Sequence, residues 1–319
     1  RRVLFRSLAD VARQAHVSQM TVSRVINHPN QVSDEVRDLV NQAIKAVGYQ
    51  PNRIAKALVN QQNYVIQFIV LEDIATVEPN YAILLLEVAE VLNQKGYTLE
   101  ISTILEPNSH VDGLIVSGWR NSDLERLSAI NVPMVLYGQA PTWYDLPYVD
   151  VNNRMGTILA TTHLIEAGYK KVIYIGMTMA LPFVWEREQG YLETMAKHHL
   201  VSRTYDVSNH SHDAEKLIQN IIAHLPKNTG IVCATDRIAL GVVRALKAQS
   251  QIPENYGVVG FDGVFIDQIT SPKLTTIKQP FRQLANTLVS NLLNQLHHSE
   301  LKMELIQPRL VKRDSTRQV

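Results

Sequence analysis

The first sixty residues carry apolar positions at helical spacing, and the remainder alternates between short apolar runs and longer amphipathic stretches. In "SLADVARQAHVSQMTVSRVIN", Leu8, Val11, Ala12 and Ala15 recur at i, i+3, i+4 and i+7, with Ser7 as N-cap. That helix is expected to stop near His16. Val17 is an apolar turn residue, and Ser18 caps a second helix with Val22, Val25 and Ile26 inward. Ser33 starts a third helix, with Asp34 and Glu35 at its positive end and Val36, Leu39, Val40, Ala43, Ile44 and Val47 on one face; Gly48 ends it. Two short helices joined by so tight a turn form a helix-turn-helix, whose second helix enters the major groove of DNA. Gln19, Met20, Ser23 and Arg24 avoid the apolar stripe and are free to meet base edges or phosphates. A generic helical bundle is the competing reading.

Next comes "YQPNRIAKALVNQQNY". Pro51 breaks the chain and Asn52 can cap a short helix, which is too short to stand alone in water and would order against DNA or a partner subunit. From Tyr64 the pattern becomes strand, helix, strand, helix. "YVIQFIVL", "TLEIST", "VDGLIVSG", "VPMVLYG", "KKVIYIGM", "TGIVCATD" and "YGVVGFDG" read as strands. "YAILLLEVAEVLNQKGY", "MGTILATTHLIEAGY", "EREQGYLETMAKHHL", "AEKLIQNIIAHL" and "RIALGVVRALKAQ" read as helices. Such alternation builds doubly wound parallel sheets. The strands are too many for one small sheet, so two lobes are expected. The division is residues 1–50 for the DNA-binding head, 51–62 for a linker segment and 63–319 for a two-lobed body.

Ligands of open α/β sheets sit beyond the carboxyl ends of the strands. The side chains there are Ser117 after "DGLIV", Asp236 after "GIVCAT" and Asp262 after "YGVVGF", with Arg187 opening a helix. An Asp and an Arg can hold sugar hydroxyls through charge-assisted bonds, and Arg can also grip a phosphate or carboxylate. Phe183 and Trp185 stand at a loop mouth, where they either floor the pocket or are simply packed. Equally, Asp262 can cap a turn and Arg187 can pair with a helix carboxylate.

Charge sharpens this division. The net charge is +1, yet through Gln62 nine basic side chains face four acidic ones, which leaves the head near +5 and the rest near −4. A basic head on an acidic body points to a polyanion partner for the head alone, or to a basic surface with no partner. Charged residues at 19% and apolar ones at 45% are the balance of a globular protein. The single cysteine, Cys233, excludes an internal disulfide framework and fits a reducing compartment; its strand setting makes it a core residue rather than a nucleophile. No apolar run approaches the roughly 18 residues of a membrane span and no signal peptide is evident, so a cytoplasmic protein without a membrane partner is expected. The pairs His198–His199, His210 with His212, and His297–His298 lack a third ligand at metal spacing, so neither metal nor cofactor is expected. Phosphate-loop, nucleophile-elbow and zinc-protease motifs are absent too, which argues against an enzyme. A transport binding protein would account for the body but not for the head.

The motifs "LADVARQAHVSQMTVSRVIN", "VSDEVRDLVNQAIKAVGYQPNRIAKAL" and "VVGFDG…LTTIKQP" together resemble the lactose-repressor (LacI/GalR) family of bacterial regulators over nearly the whole chain. The resemblance implies a homodimer on a palindromic operator, controlled by a small sugar, sugar derivative or sugar phosphate. It also implies a body like periplasmic binding proteins, with lobe crossovers near Val151 and Pro280. Within it, 51–62 becomes a hinge helix whose Leu58 is wedged into the minor groove, a use of apolar side chains that kinks DNA. The candidate DNA contacts are then Ser7, Ser18, Gln19, Met20, Thr21, Ser23, Arg24 and Asn27 in the head, and Asn52, Arg53, Ala55 and Leu58 in the hinge. The candidate effector contacts are Ser117, Phe183, Arg187, Asp236, Asp262 and Phe281, the last stacking on a sugar face. His16 replaces the family's usual Gly, so a strained but intact turn is expected. Thr235–Asp236 replaces its Asn-Asp pair, which puts the usual amide contact in doubt. The tail carries no leucine heptad, so a dimer rather than a tetramer is expected.

One connection is too short for this picture. Only "EPNSH" separates "TLEISTIL" from "VDGLIVSG", whereas a parallel crossover takes a dozen or more residues and usually a helix. The alternatives are an antiparallel hairpin, a deletion, or a loop and helix missing from the chain. The last two are favoured, with the strands parallel and the gap from Leu105 to His110 too long for the residues between.

Overall fold

The computed structural model describes residues 7–27, 29–49, 62–72, 79–141, 143–247, 252–297 and 303–318. The chain divides into two units, Arg1–Tyr64 and Val65–Val319.

The first unit contains α1 (Leu8–Gln14), α2 (Gln19–Asn27) and α3 (Asp34–Val47). At the start of α1 the backbone N–H and hydroxyl of Ser7 both donate to the Asp10 carboxylate, at 2.9 and 2.8 Å. His16 takes up φ +53° in the tight turn, as expected for a side chain standing where glycine is favoured. Ser18 Oγ accepts from Thr21 N at 3.0 Å and so caps α2. Gly48 ends α3 at φ +63°, with Tyr49 N bonded to the Ile44 carbonyl and Gly48 N to that of Lys45, the paired bonds of a Schellman motif. Val11, Ala12, Ala15, Val22, Val25, Val40 and Ala43 form the core. Leu39, read as part of the inward stripe, is instead 46% exposed, because α1 and α2 cover one flank of α3 and not the whole apolar arc.

The second unit begins with β1 (Val65–Val70), α4 (Pro79–Gln94), β2 (Thr98–Ser102), β3 (Gly113–Ser117), α5 (Leu124–Ser128), β4 (Met134–Tyr137) and β5 (Tyr148–Val151). The chain then enters a second lobe with α6 (Asn153–Glu166), β6 (Lys171–Met177), α7 (Pro182–Lys197), β7 (Thr204–Val207), α8 (Ser211–Ile221), β8 (Thr229–Cys233), α9 (Asp236–Lys247), β9 (Tyr256–Asp262), α10 (Ile266–Ile269) and β10 (Thr275–Lys278). It returns with α11 (Phe281–Leu296), which packs on α4, and β11 (Glu304–Ile306), before β12 (Arg309–Val311) joins the second lobe again. The sheet orders are β11-β5-β4-β3-β1-β2 and β12-β10-β9-β8-β6-β7. All pairs are parallel except β10–β12. The two expected crossovers, after Val151 and at Pro280, are therefore joined by a third, between Ile306 and Arg309. Strands of three residues are too short to register as a hydrophobic period, and that is why the third was not foreseen.

The short connection keeps the strands parallel and lacks the helix, as the deletion reading expects, but the gap too long for its residues is not found, because the two strands flank β1 with staggered ends. β2 and β3 lie parallel on opposite sides of β1, with Phe68 opposite Ile101 on one side and Ile115 on the other. The chain between them is continuous, without helix or hairpin. β2 stops at Ser102 opposite Ile69 and β3 starts at Gly113 opposite Ile66, so the link retraces about 10 Å and crosses two strand spacings of roughly 4.8 Å. The residues between can span well over twice that distance at about 3.6 Å each. Asn108 N donates to Gln67 Oε1 at 3.3 Å, His110 Nε2 meets Glu100 at 2.9 Å, and Leu105 enters the lobe core beside Ile69 and Leu114. The cost of omitting a helix is visible in Ile101 and Ile104, which stay 56% and 61% exposed.

Candidate functional site

A cleft with a cavity volume of about 70 Å3, opening to about 750 Å3 with the space at its mouth, lies between the two lobes at the carboxyl ends of their strands, the position usual for a small-ligand site. From the first lobe come Glu72 and Tyr81, Ser117 to Trp119, Tyr137 and Asp150. The second contributes Asn153, Phe183, Arg187, Asn209, Thr235 and Asp262, and Gln279 sits at the crossover.

Strand geometry explains the first-lobe wall. Gly118, at φ +71°, ends β3; a Cβ there would stand 2.4 Å from Glu72 N, so only glycine lets the ends of β1 and β3 approach this closely. Ser117 Oγ lies 2.7 Å from Tyr81 Oη, which also donates to Glu72 at 2.8 Å. Burial pushes the Glu72 carboxyl up. At the end of β5, Asp150 accepts from Gln139 N, Val151 N and Asn153 Nδ2 at 3.1, 2.7 and 3.2 Å. Loss of hydration outweighs those bonds and raises its pKa to about 6.

Arg187 organises the second-lobe wall. It is 3% exposed, donates from Nε to Asn153 Oδ1 at 2.9 Å and from Nη1 to the Ala234 carbonyl, and lies 3.5 Å from Asp262 Oδ1. Its guanidinium stacks 3.6 Å from the Phe261 ring centre and 4.9 Å from that of Phe183. Asp262 stands at φ +117°, a conformation rare outside glycine, and accepts from Gln279 Nε2 at 2.8 Å. Burial lifts its pKa to about 6 while Arg187 opposes the rise.

Ser117, Phe183, Arg187 and Asp262 thus line the cleft, whereas Asp236 and Phe281 do not. The Asp236 carboxylate is fully buried and accepts from Gly263 N, Val264 N and Thr276 Oγ1 at 3.0, 3.1 and 2.6 Å, pinning the turn after β9. Burial and the neighbouring Asp262 charge push it well up. Phe281 is 6% exposed at the start of α11, and Gln279, two residues earlier, takes the cleft position. Beside Thr235, Asn209 brings an amide to the cleft lining, and its Oδ1 accepts from Thr235 Oγ1 at 2.8 Å. Gln279 lies within the "LTTIKQP" motif but is eclipsed by the aromatic two residues on, and Asn209 belongs to no sequence pattern that marks it. Trp185 is 55% exposed beyond the inner cleft, and Cys233 is a buried thiol whose pKa burial pushes well up.

On the head, Gln19, Met20 and Arg24 are exposed along α2, Met20 at 71%, while Thr21 and Ser23 are partly buried. Ser7 and Ser18 are exposed at the helix starts. Asn27 closes α2, with its side chain outside the described residues, as are Asn52, Arg53, Ala55 and Leu58. No described helix is long and apolar enough to cross a membrane.

Residues 7–52 match the bacterial regulatory proteins of the lacI family, and 161–316 match the periplasmic binding protein-like domain. Over 315 positions the chain is 39% identical to YvdE of Bacillus subtilis (strain 168), an HTH-type transcriptional regulator, covering 97% of this chain and 99% of that one. The chain belongs to the LacI family. It is a transcription regulator, as its relatives are, and not an enzyme. A repressor named PurR from Mannheimia succiniciproducens is 27% identical over 334 positions, with 98% of this chain and 99% of that one covered. Among solved structures, a complex of the transcriptional regulator CelR with cellobiose superposes with TM-score 0.69 at 26% identity, covering 97% of this chain and 99% of that one. The lac repressor dimer bound to operator and the anti-inducer ONPF superposes with TM-score 0.72 at 23% identity, covering 97% and 98%, and shares the fold.

Proposed function

We propose that this regulator acts as a homodimer that binds a palindromic operator through α2, and that an uncharged sugar in the cleft controls that binding. The genes under control are those of carbohydrate uptake or catabolism, and the setting is the cytoplasm. The observation that carries the effector's chemistry is the charge balance of the lining: three carboxylates, Glu72, Asp150 and Asp262, against one cation, Arg187. That cation is already engaged by Asp262, Asn153 and a carbonyl. A phosphate or carboxylate on the ligand would meet net negative charge and no free guanidinium. A polyol finds carboxylate acceptors, the amides of Asn209 and Gln279, and the phenols of Tyr81 and Tyr137. Relatives support the class: CelR is solved with cellobiose, and a ribose operon repressor of Haemophilus influenzae is 28% identical over 97% of this chain. Gln19, Met20 and Arg24 carry the base and phosphate contacts in this reading.

The test of the head is selection from randomised duplex DNA followed by gel shift. A two-fold symmetric site, with half-sites centred about one helical turn apart, is the expected product. Recovery of asymmetric or random sequence would overturn it.

A further inference from the structure

We infer that the cleft continues outward into a second subsite, built to hold the further units of a neutral oligosaccharide; this rests on the neutral-sugar reading and names its substrate class. A groove of about 1670 Å3, including its open mouth, adjoins the inner cleft and shares Met177, Leu181 and Pro182 with it. Its cavity volume is about 820 Å3 against about 70 Å3 for the inner cleft, room for a ligand larger than a single ring.

Its lining has the chemistry of sugar recognition. Trp143 from the first lobe is 77% exposed and Trp185 from the second is 55% exposed, and both border this groove. Trp143 holds a broad aromatic face open to water, and Trp185, with the Arg154 guanidinium 5.4 Å from its ring centre, keeps much of its surface exposed; such faces suit the apolar faces of sugar rings. At the floor, the Tyr174 hydroxyl is buried without a hydrogen-bond partner, in a residue only 1% exposed. An orphaned buried hydroxyl costs stability unless something supplies its partner. Gly176 leaves that floor bare: a Cβ there would stand 2.6 Å from Asp206 Oδ1 and 3.0 Å from the Tyr174 ring. Asp206 and Glu188 present carboxylates that form no ion pair among the described residues, and burial, with the nearby Asp206 charge, holds the Glu188 carboxyl above its usual range. With Glu186 they outnumber Arg120, the one cation in this lining, so the groove accepts hydroxyl protons and disfavours anionic ligands, as the inner cleft does. Glu186 is occupied by Arg154 at 3.0 Å.

The test is calorimetric titration of the full chain with unbranched oligosaccharides of one to five units built on glucose, xylose or galactose, and with glucose 6-phosphate. In at least one series the dissociation constant should fall about tenfold or more between two units and four, a large enough step to resolve. Trp143→Ala and Trp185→Ala should each flatten that length dependence without moving the unfolding midpoint, since both side chains are exposed. Arg187→Ala should abolish binding at every length. If short members bind and longer ones bind no tighter, the second subsite falls and the neutral-sugar reading stands. If only the phosphate binds, both fall; if no oligosaccharide of any length binds, the subsite falls.

Discussion

Replacing Arg187 with methionine should destabilise the effector-binding unit in a way that depends on pH. Asp262 would lose its cation at 3.5 Å while Asp236 stays close by, and the Asn153 amide oxygen and Ala234 carbonyl would each lose a donor. Breaking a buried ion pair from one side costs about 3–5 kcal/mol. The stranded carboxylate can escape part of that by taking up a proton, at about 1.4 kcal/mol per pKa unit above its folded value. Methionine between Phe261 and Phe183 recovers some packing, so about 3–4 kcal/mol at pH 7.5 is expected, or roughly 6–16 °C in Tm for a unit of this size. In the parent, the Asp262 pKa is about 6, above its usual value, so the carboxyl favours the fold at low pH and loses that contribution as pH rises through 6. In the variant the folded pKa lies higher still, and the penalty at pH 7.5 is larger. Below pH 5 both proteins carry the neutral acid, and the gap should shrink to the lost hydrogen bonds. Thermal unfolding at pH 7.5 and 5.0, with Arg187→Met/Asp262→Asn as the partner variant, reads this directly. Equal stability at pH 7.5, a gap that does not narrow at pH 5.0, or a double variant as unstable as the single one would refute the reasoning.

Asp150→Asn should flatten the pH dependence of unfolding between pH 4 and 7, because the parent carboxyl, raised to about 6, disfavours the fold increasingly over that range, by up to about 3 kcal/mol; chemical denaturation across that range checks it. Gly118→Ala forces a Cβ to 2.4 Å from Glu72 N at φ +71° and should cost more than about 1 kcal/mol in urea unfolding while weakening sugar binding. Exchanging Gln19 and Met20 for other side chains should change operator preference by about 1–3 kcal/mol per affected base pair, read in a randomised-operator selection.

The architecture was legible because its signals are long: three capped helices in the head, then strands and helices whose apolar periods alternate. Legibility failed where the signal was short or the decision was three-dimensional. β11 and β12 are each three residues long, and the third crossover went with them. The crossover rule assumed a covering helix, whereas strands flanking β1 with staggered ends need only a short link. In the cleft, Arg187 and Asp262 stood out because a charge at a strand or helix end is conspicuous. Asp236 looked equally good. Its carboxylate is turned inward by two N–H groups of a loop 27 residues away, and nothing local announces that. Gln279 and Asn209 are neutral amides in loops, and only the fold brings them to the cleft.

The central claim is that an uncharged sugar in the cleft sets the affinity of the head for DNA. Its most direct test is operator binding by fluorescence anisotropy, using the selected palindrome, with and without each member of a panel of neutral sugars and their phosphates. The account predicts that at least one neutral sugar shifts the operator Kd, in either direction, by about fivefold or more. It also predicts that Arg187→Ala loses this shift while still binding the operator, and that the phosphates have no effect. An operator affinity that responds only to phosphorylated or carboxylated ligands, or that Arg187→Ala leaves equally responsive, would contradict it.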